Sequence, residues 1–390
     1  SNGQLQLKAG LVDLTQATTS AEQIDITALQ LNHQQGQMIQ RGTQSPLSLA
    51  IQQELNNQSG LIQSATALNL NSGSLNNQAG SLSSAQGQDL NLKIGGLLDN
   101  SQSGKIFAGN HAQLQVGSLN NSNQGQINVQ QDIKLTSQQQ IDNQSGRMVA
   151  NGEVEIQSEG LDNTQGQIGS VLGGLILNAG KGALLNQSGS LQATQDIQIV
   201  ADQLNSQSGL INAQNSIQVN INKGIDNSSG QIIANKAVQL NSQGLNNDLG
   251  QIGSVEDVLS IDAGQGLLSN QQGKLQSTKD LGLKALGIDN QSGLIATQAK
   301  LDLQQQWLNN DKGQIISGQS LNLIGQDLSN QGGLLQSGSD LDFKLSGKLD
   351  NSQSGQLISA GHTWIEASQL DNSQHGLINT QRDLKITTQQ

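Results

Sequence analysis

The sequence predicts an all-β fold, a right-handed parallel β-helix of about 17 coils with about 21 residues in each, running through residues 1–390 as a single repeat domain. Three observations carry this. Seventeen glycines, from Gly36 to Gly376, recur at a near-constant interval, and the 340 residues between those two, over 16 steps, give a mean step near 21. The residue two places after each of these glycines is Ile, Leu or Met. An aliphatic-x-Asn triplet precedes the glycine in fifteen of the seventeen; the other two place His33 and Ser206 where the Asn would stand. A fixed period of this size means stacked supersecondary units, each too small to bury a core alone.

Each repeat opens with a turn. It reads LNNQSGLI at Leu55–Ile62, IDNQSGRM at Ile141–Met148, IDNSSGQI at Ile225–Ile232 and LDNSQSGQL at Leu349–Leu357. Glycine takes positive φ without steric cost, and Asn tolerates the left-handed region and bonds its own backbone, so the expectation is a turn with Gly at positive φ. A first strand follows: Ile295 and Thr297 alternate with Leu294 and Ala296. The residue four after the glycine is small or β-branched in every repeat except at Gln40. A second strand comes at a fixed offset, as Leu301/Leu303, Val154/Ile156, Ile197/Ile199, Val238/Leu240, Leu281/Leu283, Leu321/Leu323 and Leu384/Ile386. Alternation in short runs marks strands with one buried face. Apolar spacing of three and four is not sustained, and Gly and Asn are too frequent for helices.

Equivalent strands of successive repeats then stack in parallel, about 4.8 Å apart, into a rod of roughly 80 Å. The aliphatic residues, Ile252 among them, form inward columns. The Asn residues form a ladder in which each amide bonds the next, as stacked amides do in cross-β assemblies. Right-handedness follows from the near-universal hand of parallel crossovers.

A second period lies above the first. TQGQIGSV at Thr164–Val171 returns as DLGQIGSV at Asp248–Val255, and longer steps recur near Gly95-Gly96, Gly173-Gly174, Gly264–Gly266 and Gly338–Gly347. This predicts duplication of a four-coil block, with a bulge or small loop on each long coil. The segment Gln40–Glu54 holds the single proline, Pro46, and reads as a loop excursion from the coil.

Chemistry is sparse. Aromatics are 1% of the chain, which leaves no material for several globular cores of ordinary thickness. A net charge of −12 without a basic cluster argues against nucleic acid and anionic lipid. The lack of cysteine excludes disulfides, thiolate metal sites and cysteine nucleophiles. Ser1 in place of a start Met, with no signal peptide, predicts a fragment or processed product. His33, His111, His362 and His375 fall at different places in their repeats, which predicts no metal site and no cofactor. The Asp residues of the turn phrase (Asp99, Asp142, Asp162, Asp226, Asp289, Asp350, Asp371) read as turn residues rather than as a catalytic carboxylate pair. No residue is assigned a catalytic, cofactor-binding or metal-binding role. Phe343 falls on a second-strand core position; Trp307 and Trp364 are either exposed, where a sugar could stack, or plug a wide coil.

The repeat, written as LDNSQSGQLISAG, IDNQSGLIATQAKLDL and LNNDKGQIISGQSLNL, resembles the haemagglutinin repeat of the filamentous-haemagglutinin family. That family includes large bacterial adhesins and the stick-like toxins of contact-dependent growth inhibition. The resemblance implies a secreted, cell-surface filament, exported unfolded through an outer-membrane transporter partner by two-partner secretion. It also implies a monomeric, non-enzymatic stalk, with receptor binding or toxicity in other segments. A side-on adhesive module for a receptor, glycan or second filament is the alternative, ahead of a polysaccharide-active β-helix enzyme.

Overall fold

The computed structural model of the chain describes residues 3–388, all of them in strands, turns and short connections, with no helix among them. The residues fall into two compact units, Ser1–Gln195 with Val200–Asp202, and Asp196–Ile199 with Gln203–Gln390. Each unit is a parallel β-solenoid, and the first strand of the coil occurs about 18 times, from Thr18–Ala21 to Leu377–Thr380.

One coil of the second unit shows why these residues form these strands. The first strand, Leu294–Thr297, pairs in parallel with Gln314–Ser317, bringing Ile295 over Ile315. The second, Leu301–Gln304, pairs with Leu321–Gly325, bringing Leu301 over Leu321 and Leu303 over Leu323. A short third strand, Trp307–Asn309, pairs with Asp327–Ser329 through Leu308 and Leu328. Within a unit the first strands make one sheet, and the second and third strands the other. Register admits no slip here, because a one-residue shift would turn every leucine outward.

The inward columns are apolar and closed to water. Ile252, Leu275, Ile295, Ile315 and Leu335 are each 0% exposed. The column of small residues behind them works differently. Ser254, Ser277, Thr297, Ser317, Ser337 and Ser359 are buried, and their hydroxyls tie the chain at the corner: Ser317 Oγ donates to the Gln319 carbonyl (3.0 Å) and Ser277 Oγ to that of Lys279 (2.6 Å). Gln40 performs the same task with a longer arm. Its Oε1 accepts from Ile24 N (3.0 Å), while Nε2 donates to the Ser45 carbonyl (2.7 Å) and Thr66 Oγ1 (3.0 Å). The amide therefore pins residues 41–46, which lie outside any strand, and Leu47–Asn56 rejoins the sheet.

The longer steps are local. Gly95-Gly96 forms a register shift opposite Val116 and Ser118. The duplicated block repeats in detail: Ala179–Gly182 and Ala263–Gly266 are matching tight turns with Gly180 and Gly264 both at φ 56°. One coil escapes the glycine count. Leu14 and Ala17 take the places of Asn and Gly in the turn before Thr18–Ala21, with Gln16 at φ 56°.

Candidate functional site

The feature repeated in every coil is the turn, and its geometry corrects the expectation that glycine supplies the positive φ. The residue before the glycine does so: Ser59 (55°), Ser145 (55°), Ser229 (55°), Leu249 (58°) and Lys312 (58°). None of the seventeen recurring glycines has positive φ, and the ladder Asn residues are not left-handed either. Glycine is required for space. A Cβ on Gly293 would stand 2.6 Å from Asn290 Oδ1 and 3.0 Å from Asn270 Nδ2, and nearer still to the Asn270 carbonyl of the coil below.

That closeness comes from the ladder. Asn290 Nδ2 donates to Asn310 Oδ1 (2.8 Å), while its own Oδ1 accepts from Asn270 (2.7 Å). The same amide lies within reach of two carbonyls, Gly293 (3.2 Å) and Gln314 (3.3 Å). Side-chain amides in this arrangement, buried except for the last, Asn372, run from Asn57 to Asn186 in the first unit (2.7–2.8 Å). In the second unit they run from Asn227 to Asn372 (2.7–2.8 Å). The residue before each ladder Asn is often Asp or Asn, and its Oδ1 accepts the backbone N–H two places on, as from Gln144 to Asp142 (2.9 Å). These carboxylates hold turns, as their place in the phrase predicts.

The exceptions to the ladder are informative. His33 is wholly buried at its start, with Nδ1 2.7 Å from Asn57 Oδ1 and Nε2 without a hydrogen-bond partner. Asn57 uses its amide on Asn77, so its oxygen faces the imidazole, which assigns the neutral Nδ1–H tautomer. Burial pushes the His33 pKa down, and the bond to Asn57 only partly opposes it. Ser206 offers no amide, and Asn227 Oδ1, in the next coil, is buried without a partner.

Two pairs of turn carboxylates are in register on adjacent strands, Asp142 with Asp162 and Asp350 with Asp371. Burial raises Asp142 above the usual carboxylate range, the Gln144 N–H opposes this, and the charge of Asp162 adds to it. Asp162 is 7% exposed and takes a bond from Gln144 Nε2 (2.7 Å), so its carboxylate is engaged within the turn. At Asp350 burial also pushes upward. Bonds from Ser352 Oγ (2.6 Å), Lys348 (2.9 Å) and Gln331 (3.0 Å) together outweigh it, and the carboxyl lies well below its ordinary value.

The remaining singled-out residues are dispersed. His111 meets Asp132 (3.0 Å), His362 meets Asp383 (3.1 Å), and His375 is exposed in a turn. His111 and His362 share a place, immediately before a second strand, contrary to the expectation that the four His residues fall at different places in their repeats. Among the described residues no group of three His, Asp or Glu could hold a metal ion. Phe343 is fully buried in the second-strand column. Trp307 (39% exposed) and Trp364 (38%) both lie on the outer face, so neither plugs a coil. Trp307 lies over Gly287, in register with it. Trp364 stacks on His362, with ring centroids 5.2 Å apart and planes at 7°. The His-x-Trp spacing carries that signal, since residues two apart on a strand share a face.

The sequence model of the Haemagglutinin repeat matches this chain at residues 1–45, 46–102, 87–145, 141–181, 173–220, 214–268, 259–353 and 358–390. No curated protein and no solved structure matches it.

Proposed function

The chain belongs to the haemagglutinin-repeat family, and from that premise we propose that it is a stalk segment of a large secreted exoprotein at the bacterial surface. The segment holds a receptor-binding or toxin region, carried elsewhere in the protein, away from the producing cell. The observation that carries this reading is the ladder. In each unit the ladder Asn amides join one coil to the next, an arrangement that suits a spacer.

Export through a partner barrel in the outer membrane fits the same features. The chain has no cysteine and one proline, so neither disulfides nor slow prolyl isomers obstruct threading. Each coil is templated by its neighbour, so folding can proceed vectorially as the chain emerges. Adhesion and contact-dependent growth inhibition are the two settings in which such a spacer serves.

The test is an in-frame deletion of residues 231–313, four coils, within the full exoprotein on cells. Export and folding should persist, and the distal region should draw closer to the cell by roughly 19 Å, four spacings of ~4.8 Å, as read by cryo-electron tomography. Unchanged reach, or export equally efficient without the partner transporter, would overturn the corresponding half of the reading.

A further inference from the structure

The outer face of the second-strand sheet around Trp364 has features that a spacer does not need. Trp364 stands in register over Asp342 and under Lys385. One strand step away, on the same face, Lys344, Glu366 and Thr387 form a parallel column. Together they border an open groove of about 220 Å³. The groove holds two carboxylates, two ammonium groups and a hydroxyl around a single half-exposed indole. His362 stacks parallel on that indole, with Asp383 3.1 Å from its Nδ1, so one face of the indole already carries an aromatic neighbour before any ligand arrives.

We propose that this groove binds one pyranose ring of a neutral glycan. An indole presents a negative π face, which complements the weakly positive, apolar C–H face of a sugar ring. The ring's edge carries hydroxyls that both donate and accept, and here they meet both kinds of partner. Asp342 and Glu366 accept, while Lys385 and Lys344 donate, the last of these standing 3.4 Å from Asp342 as an exposed ion pair. The groove is smaller than the 300–1,000 Å³ usual for drug-sized ligands, which suits a single ring with the rest of the glycan in solvent. The four charges of the groove cancel, and the chain carries −12 overall, so sialylated or sulfated glycans are disfavoured.

Trp307 is the internal control. It is as exposed as Trp364, but its in-register neighbours are Gly287 and Asp327, where Trp364 has Asp342 and Lys385. Exposure alone therefore does not define the site, and the stalk reading does not depend on it.

The chain has two tryptophans, so fluorotryptophan labelling gives two fluorine resonances, assigned through Trp307→Phe. The whole chain is titrated at millimolar concentrations with methyl glycosides of glucose, galactose, mannose and N-acetylglucosamine, and with their oligomers. At least one glycan should shift the Trp364 resonance saturably and leave that of Trp307 in place. Trp364→Ala should weaken the binding of that glycan by about tenfold or more, read by saturation-transfer NMR. Lys344→Ala, a change at an exposed side chain that leaves the indole and its coil intact, should weaken it severalfold. A Trp364 resonance unmoved across the panel overturns the proposal, as do equal shifts of both resonances or binding indifferent to Lys344→Ala.

Discussion

Replacing Asn290 by Asp tests the ladder at a single atom. The two side chains have nearly the same shape, so no cavity opens. What changes is that Nδ2, a donor to Asn310 Oδ1 (2.8 Å), the Gly293 carbonyl (3.2 Å) and the Gln314 carbonyl (3.3 Å), becomes an oxygen facing three acceptors. Three lost bonds at about 1 kcal/mol each, with about 1 kcal/mol more for orphaning Asn310 Oδ1, come to about 4 kcal/mol. Solenoid coils need not unfold together, so a global midpoint is a poor reporter. Hydrogen exchange of peptides covering residues 281–320 reports the local opening. Exchange there should accelerate by about a thousandfold at neutral pH, at about 1.4 kcal/mol per factor of ten. Peptides of the first unit should be unchanged. The sign with pH follows from burial. The introduced carboxyl, desolvated and facing acceptors, has its folded-state pKa raised above the unfolded one. Its destabilisation is therefore full above that raised value and diminishes as pH falls through it, when a proton restores one donor. Exchange unaltered at neutral pH, or damage that grows on acidification, would show that the amide is not oriented as described.

The turn makes an opposed pair of predictions: Leu249→Gly should stabilise its coil by about 1 kcal/mol, because Leu249 is exposed and held at φ 58°, whereas Gly250→Ala should cost several times more because its Cβ would meet the Asn227 carbonyl and Asn247 Oδ1; local hydrogen exchange reads both. Gln305 is buried with neither amide atom hydrogen-bonded to protein, so Gln305→Leu, close in volume, should slow exchange around residues 301–325 by an amount corresponding to about 2 kcal/mol. His33 supplies a pH dependence: its folded pKa lies below the unfolded value of 6.5, the unfolded state takes the proton first, and stability falls as pH drops below about 6.5. His33→Asn should remove the slope that sets in below pH 6.5, a range that Asp350 leaves untouched until its depressed carboxyl begins to contribute as pH falls below its ordinary 3.8; acid melts of both proteins, followed at residues 24–62, check this.

Most of the fold was legible because the inward positions repeat. Ile295, Leu301 and Leu303 sit inside, as their alternation indicates, and Asn290 bonds its equivalents above and below, as its recurrence indicates. The turn was misread at one point. Gly is the residue of choice for positive φ, yet here the residue before it takes that conformation and the glycine answers to a carbonyl of the coil below. No local rule contains that carbonyl, because it belongs to a residue about 20 positions earlier. The coil at Leu14–Ala17 is hidden for a simpler reason: its turn carries neither the Asn nor the Gly by which the others are recognised.

The candidate site was less legible. Trp364 was visible as a rare aromatic, but its partners Asp342, Lys344, Glu366 and Lys385 come from three strands and follow no motif. His33 and Ser206 stood out as departures from Asn, and only the structure shows that one leaves a buried imidazole neutral and the other leaves Asn227 Oδ1 unpaired.

By itself, then, the sequence determined the coil: its length, its strands, its buried face and the amide that joins it to the next. It could do so because every coil meets the same inward constraint, and a constraint met at each layer is written at each layer. The tertiary structure alone decided which backbone takes the strained turn conformation, which glycine is demanded by a neighbour's carbonyl and which side chains meet outside. Those outcomes depend on pairs of residues brought into register across a whole coil, and on the outer face each such pair is different.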